Sequence, residues 1–133
     1  MDINWLSVAV ATIAGIAVGS LWFGPRTFFP VWWRAMGKTP EDQPGGANMA
    51  VVFGGTFGAI FVQALILAVI LSALNQSGVV AGVATGALLG LVGASASLTH
   101  TLFGGQSRWA WLLEAGSDIV GLAAMGAVIG LFV

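Results

Sequence analysis

The chain has 133 residues, of which 58% are hydrophobic and 7% charged, and its mean hydropathy is +0.98. Soluble domains carry about 25% charged residues, so a chain this poor in charge cannot cover a surface that faces water. The composition predicts an integral membrane protein surrounded by the lipid bilayer. The net charge of −1 excludes a nucleic-acid-binding surface. The lack of cysteine excludes disulfides, thiolate metal sites and thiol catalysis.

Four apolar spans follow one another, at about residues 3–24, 48–74, 79–103 and 107–133. Each exceeds the ~20 residues that a helix needs to cross a hydrocarbon core of ~30 Å. The spans are too long for strands, do not alternate between apolar and polar residues, and are rich in alanine, glycine and leucine. The pattern predicts an all-α membrane protein, with residues 1–133 forming a single four-helix transmembrane bundle.

The connections between the spans differ in length. Residues 75–78 and 104–106 are short and uncharged, which predicts that the spans they join are antiparallel neighbours. The loop at 25–47 is longer, and its first half mixes aromatic residues with cations. We expect a short amphipathic helix there, starting near Pro30 and lying in the membrane interface. The second half, from Thr39, is predicted to be a polar loop in water.

The four cations predict the orientation. Arg26, Arg34 and Lys38 lie in the first connection, and Arg108 begins the fourth span. In a four-span protein these positions face the same side of the membrane. Since cytoplasmic loops carry an excess of Lys and Arg, we expect this side to be cytoplasmic and both termini to lie outside.

Aromatic residues concentrate at the same predicted boundary. Tryptophan is enriched at membrane interfaces, which favours an anchoring role. A cluster that binds an amphipathic ligand or a partner is the alternative. The predicted anchors are Trp22, Trp32, Trp33, Arg34, Trp109 and Trp111.

Small residues recur every fourth position in three of the spans. This spacing lets helix backbones approach closely in lipid, where association depends on packing. It predicts a tight bundle, and whether some of these faces pack against other copies of the chain stays open. The stripes are Ala11, Gly15 and Gly19; Gly82, Gly86, Gly90 and Ala94; and Gly126 and Gly130.

Two carboxylates lie within the fourth span. Glu114 and Asp118 share a helix face because they are four residues apart. Asp118 is ten residues beyond Arg108, or ~15 Å along the helix, close to the middle of the membrane. We expect this face to point into the bundle, with Asp118 protonated or hydrogen-bonded to Gln63.

His100 lies near the end of the third span. It shares a face that we expect to pack against the fourth span with Ala96, Gly93, Leu89, Gly86 and Gly82. Glu114 is then expected to pair with His100 or Arg108. Together the polar residues predict one intramembrane polar site, formed by Ser20, Gln63, His100, Glu114 and Asp118.

Three roles are open for these residues. They fasten the helices in register, form a protonatable or cation-binding site along a water-filled path, or contact another protein. An enzyme is not expected, because one histidine, no metal-ligand spacing, no nucleophile elbow and no phosphate-binding loop are present. Neither a cofactor nor a metal is expected.

Several short motifs resemble a known family. The run Leu-Trp-Phe-Gly-Pro at 21–25 is followed by Trp-Arg-Ala-Met-Gly at 33–37. Leu-Phe at 102–103, Glu-Ala-Gly at 114–116 and Met-Gly-Ala at 125–127 complete the pattern. Together they resemble the DUF1761 family of small bacterial membrane proteins. The resemblance implies a four-span helical protein in the bacterial inner membrane and assigns no catalytic or binding residue.

Two functional hypotheses follow. The first is a non-catalytic structural or accessory membrane component that packs through its small-residue faces, in a homo-oligomer or a larger membrane complex. The alternative is a small oligomeric transporter or channel for protons, cations or small solutes, which would use the intramembrane acidic residues.

Overall fold

The computed structural model describes residues 3–24, 27–38 and 49–132. Five helices lie within them: α1 (Trp5–Trp22), α2 (Phe29–Ala35), α3 (Met49–Ala73), α4 (Val79–Phe103) and α5 (Arg108–Phe132). All except α2 are long and apolar enough to cross a membrane. The all-α bundle that the sequence predicts is confirmed, and its four spans differ from the predicted bounds by at most two residues at either end.

Helix α1 begins at a side-chain cap. The Asn4 side chain accepts a hydrogen bond from the backbone N–H of Ser7 (3.2 Å), and the Ser7 hydroxyl donates to the Asn4 carbonyl (2.7 Å). These two bonds satisfy polar groups that a helix N-terminus leaves free. They fix the start of α1 although no charged residue lies in its first turn.

The two short turns hold α4 and α5 at both ends. Gly78, with φ of 93°, precedes α4, and its N–H donates to the carbonyl of Gly130 at the end of α5 (3.1 Å). At the other end Gly105 has φ of 69°, a conformation that favours glycine. Ser107 then caps α5, because its hydroxyl oxygen accepts from the N–H of Ala110 (3.3 Å).

Helices α4 and α5 are in direct backbone contact. A Cβ on Gly82 would collide with the carbonyl of Gly126, and a Cβ on Gly126 would collide with the carbonyl of Gly82. A Cβ on Gly86 would likewise collide with the carbonyl of Leu122. Only glycine permits this approach, so the small-residue stripes of the two helices face one another.

A buried apolar cluster joins α1, α3 and α5. It lies in the half of the bundle that holds the α3–α4 turn, which we call the terminal end; the opposite half, with α2 and the α4–α5 turn, is the loop end. From α3 only residues of the second half of the helix take part. The members are Val8, Ala11, Ala64, Leu67, Ala68, Leu71, Met125 and Ile129.

The first half of α3 is not packed. Residues 53–59 are all exposed. A Cβ added to Gly54, Gly55 or Gly58 would meet no atom within 4 Å. Helix α3 is therefore attached to the bundle through its second half, and its first half leaves a groove beside α1 and α5.

Candidate functional site

This groove, which we call the α1/α3/α5 groove, encloses about 460 Å³. It extends from Phe23 near the loop end to Met125, where the buried apolar cluster closes it. Its walls are mostly apolar and include Gly15, Gly19 and Gly121. Five polar side chains also line it: Ser20, Thr56, Gln63, Ser117 and Asp118.

Four of these five polar side chains have no hydrogen-bond partner among the described residues. The Thr56 hydroxyl donates to the carbonyl of Val52 (2.6 Å), as helical threonines commonly do. No hydrogen bond or ion pair engages the other four side chains within the part of the chain that the structure describes. The groove therefore presents donors and acceptors that are free to bind a group from outside the chain.

Asp118 lies at the middle of α5 and is exposed to the groove. A second cavity of about 260 Å³ lies on its other side, against Gly90 and Gly93 of α4. Asp118 and Gln63 line both cavities. Both side chains can be reached from either side because α3 stands away from α4 and α5 at this depth.

The predicted polar site is divided in the structure. Ser20, Gln63 and Asp118 lie along the α1/α3/α5 groove, whereas His100 and Glu114 do not line it. The hydrogen bond expected between Asp118 and Gln63 is absent from the described residues. The two side chains face the same spaces without bonding to each other.

Glu114 is held by the short helix α2. Its Oε1 accepts a hydrogen bond from Nε1 of Trp32 (3.0 Å). The expected pairing with His100 or Arg108 does not occur among the described residues. The chain turns back after α1, so that α2 lies against α5 and supplies this donor.

The prediction that the face of His100 packs against α5 is confirmed at Gly82 and Gly86 and wrong at His100 itself. The α4 residues that are buried are Gly82, Gly86, Gly90, Ala94 and Thr101, while His100 is exposed and lines none of the described cavities. Thr101 is seven residues beyond Ala94, nearly two full turns, whereas His100 is about 240° around the helix from Ala94. The four-residue spacing of the glycines was the signal for the correct face.

Besides Trp32, two more of the predicted anchors bind across helices through their indole N–H groups. Nε1 of Trp22 donates to the carbonyl of Leu113 (3.0 Å). Nε1 of Trp111 donates to the carbonyl of Ala94 (3.0 Å) and to the Ser97 hydroxyl (3.1 Å). These tryptophans therefore join helices, a role that composition at a boundary does not reveal.

The remaining predicted anchors differ in exposure. Trp33 is buried (6% exposed) and its ring stacks on Phe29 at 5.3 Å, whereas Trp109 is 71% exposed. Arg34 is exposed, and its Nε donates to the carbonyl of Pro30 (3.4 Å). Arg26 and the polar loop expected from Thr39 lie outside the described residues.

Another cavity lies at the loop end and encloses about 660 Å³. We call it the loop-end cavity. It is bounded by the end of α2 with Met36, Gly37 and Lys38, by the α4–α5 turn, and by Trp111 and Glu114 of α5. The sequence pattern does not predict this cavity, because the cavity forms only when α2 folds back beside that turn.

These features define a class of protein. Four helices can cross the membrane, and within the described residues no group of three or more His, Cys, Asp or Glu could hold a metal ion. The chain is a multi-pass integral membrane protein. It belongs to the DUF1761 family, whose model matches residues 6–130 and is described as a protein of unknown function. The comparisons with curated proteins and with solved structures gave no match.

Proposed function

We propose that the protein is a non-catalytic accessory subunit whose α1/α3/α5 groove receives a transmembrane helix of a different membrane protein. The observation that supports this most directly is the unpacked first half of α3. Residues 53–59 are exposed, and on the facing walls of the groove lie the small residues Gly19 and Gly121, with no atom within 4 Å of a Cβ placed on Gly19. Small-residue faces of this kind allow close helix approach in lipid.

The unpaired polar groups of the groove support a helix as the occupant. A carboxyl group at the middle of the membrane costs roughly 2.5–3.5 kcal/mol on insertion scales when it is ionised and has no partner. Asp118, Gln63, Ser20 and Ser117 are all unpaired in the described chain. A helix that brings one hydrogen-bond donor to this depth relieves that cost, and its apolar surface covers the remaining wall.

The composition of the spans favours a different protein over a second copy. Within the described spans, the only Lys or Arg is Arg108, at the very start of α5. His100 is three residues from the end of α4, so it lies far from the depth of Asp118. A copy of the chain therefore brings no basic group to Asp118, whereas a partner with a mid-membrane Lys, Arg or His does.

The test is capture of the protein with its partner from native membranes. Ala59→Leu places a large side chain on the groove face of α3, and we expect it to abolish co-purification of a stoichiometric partner. Ala84→Leu is the matched control, because Ala84 is exposed on α4 away from the groove. Equal recovery of the partner with both variants, or a pure homo-oligomer, would overturn the proposal.

A second function, transport of protons or small cations, is favoured by the position of Asp118. The groove leads from near the loop end to this carboxyl group and is closed beyond it at Met125. Intramembrane carboxyls that face a cavity mark ion pathways in many membrane proteins. Transport predicts that Asp118→Asn abolishes flux in liposomes while the bundle stays folded. If the wild-type protein carries no flux of its own, this second function is wrong.

The proposed orientation places the loop end in the cytoplasm. It rests on the cations Arg34, Lys38 and Arg108 at that end. Because the chain has no cysteine, single cysteines at Gln76 and Gln106 report the two sides directly. We expect an impermeant thiol reagent to label Gln76→Cys in intact cells and Gln106→Cys only after permeabilisation. The opposite labelling pattern would reverse the orientation.

A further inference from the structure

The loop-end cavity is separate from the α1/α3/α5 groove, and none of its lining residues lines the groove. Its volume of about 660 Å³ falls in the range of sites that hold small molecules, about 300–1,000 Å³. It therefore raises a question that the proposed function does not answer, namely which group it holds.

The first feature of the cavity is a carboxylate with one free oxygen. Glu114 Oε1 is fixed by Nε1 of Trp32 (3.0 Å), and Trp32 is not part of the lining. Oε2 has no hydrogen-bond partner among the described residues. It is also accessible, because none of the buried side-chain oxygen or nitrogen atoms in these residues lacks a partner. Trp32 thus orients the carboxyl group, and its second oxygen remains open to a donor.

The second feature is the hydroxyl group of Thr101, a residue that is otherwise buried. Thr101 is only 5% exposed and lines the cavity. Its hydroxyl makes no hydrogen bond within the described chain, whereas that of Thr99, two residues earlier, donates to the carbonyl of Ser95 (3.5 Å). Since the described residues contain no enclosed side-chain oxygen or nitrogen without a partner, the Thr101 hydroxyl is open to the cavity and can bond to a ligand there.

The third feature is a pair of opposite charges, Lys38 and Glu114, in the lining of the cavity. Among the described residues that line the cavity, Lys38 is the only cationic side chain and Glu114 the only carboxylate. One carboxylate is too few for a metal ion, which needs several ligands. It matches a primary ammonium, which donates several hydrogen bonds, while the lysine matches a phosphate.

We propose that the loop-end cavity binds a phosphoethanolamine group, with the ammonium at Glu114 and Thr101 and the phosphate at Lys38. The group can belong to phosphatidylethanolamine or be free phosphoethanolamine, since both carry the same charges. Trp111 and Met36 in the lining provide the apolar surface on which the ethyl carbons rest. This site is independent of the partner helix proposed for the groove.

The test measures lipid binding to the full chain in nanodiscs by native mass spectrometry. The membranes contain phosphatidylethanolamine, phosphatidylcholine or phosphatidylglycerol in turn. We expect one bound phosphatidylethanolamine to be retained. Phosphatidylcholine and phosphatidylglycerol both lack a primary ammonium, and we expect each to be retained at least tenfold less. Free phosphoethanolamine is added as a competitor, and full displacement of the lipid identifies the free compound as an equally good source of the group.

Three variants separate the site from the fold. Glu114→Gln keeps an acceptor for Trp32 but removes the charge, and Thr101→Val removes the hydroxyl at similar volume; each is expected to lower retention of the phosphoethanolamine group at least tenfold. Thr99→Val is the matched control on the same helix and should leave retention unchanged. Equal retention of all three lipids, or unchanged retention by Glu114→Gln, would overturn the proposal. Partner capture through the groove is measured separately and does not depend on this outcome.

Discussion

The α4–α5 contact and the first half of α3 carry the same kind of sequence and have opposite surroundings. Gly82 and Gly86 recur at a spacing of four residues, as do Gly54 and Gly58. On α4 a Cβ at either position would collide with the backbone of α5, whereas on α3 it would meet no atom within 4 Å. A small-residue stripe therefore indicates that a helix face can be approached closely, and not which helix approaches it.

The turns explain why the glycine stripe of α4 is covered by another helix of the same chain. Residues 104–107 join α4 directly to α5, and the bond from Gly78 to Gly130 closes the pair at the other end. The turn at 74–78 also follows α3 closely, but Gly54 is roughly 30 Å along the helix from that turn. Bulky Leu67 and Leu71 attach α3 near the turn, and the glycines at the far end remain free.

The largest effect is expected from a side chain placed in the α4–α5 contact. Gly86→Leu should lower the free energy of unfolding by more than about 4 kcal/mol, because the obstacle is the backbone carbonyl of Leu122 and cannot rotate away. Gly54→Leu should change it by less than about 0.5 kcal/mol, since the position is open. Reversible unfolding in mixed micelles measures both. Similar losses in the two variants would show that the first half of α3 is packed after all.

The second largest effect distinguishes the two halves of α3. Leu67→Ala should cost about 2–4 kcal/mol, because Leu67 is fully buried in the cluster that attaches α3. Phe57→Ala removes a larger side chain that is 43% exposed and should cost about 0.5 kcal/mol or less in detergent. The same unfolding assay applies. If Phe57→Ala proves as costly as Leu67→Ala, α3 is held along its whole length.

The bundle itself was largely accessible from the sequence. Span length and the lack of charge predict four membrane helices with little ambiguity, because the bilayer admits few alternatives. The glycine spacing on α4 and α5 also indicated which faces of these helices can be approached closely. The sequence could not predict that the first half of α3 stays unpacked, because Gly54 and Gly58 have the same local pattern whether or not a neighbouring helix covers them.

The polar site was predicted less well than the bundle. Asp118, Gln63 and Ser20 were placed by depth and helix face, and these two quantities are fixed by the helix itself. The partner of Glu114 depends on the position of α2, which places Trp32 against α5. The periodicity of the sequence does not predict that α2 lies against α5. The loop-end cavity depends on the same position of α2, so it could not be predicted either.

The smallest effect concerns the tryptophans at the loop end. Trp32→Phe keeps an aromatic ring but removes the donor to Glu114 Oε1, and should cost about 1–2 kcal/mol. Trp109→Phe is the matched control, because Trp109 is 71% exposed and forms no hydrogen bond through its indole within the described chain. We expect it to change stability in detergent by less than about 0.5 kcal/mol. If both substitutions are equally mild, the indole of Trp32 serves to orient Glu114 for a ligand more than to hold α2 against α5.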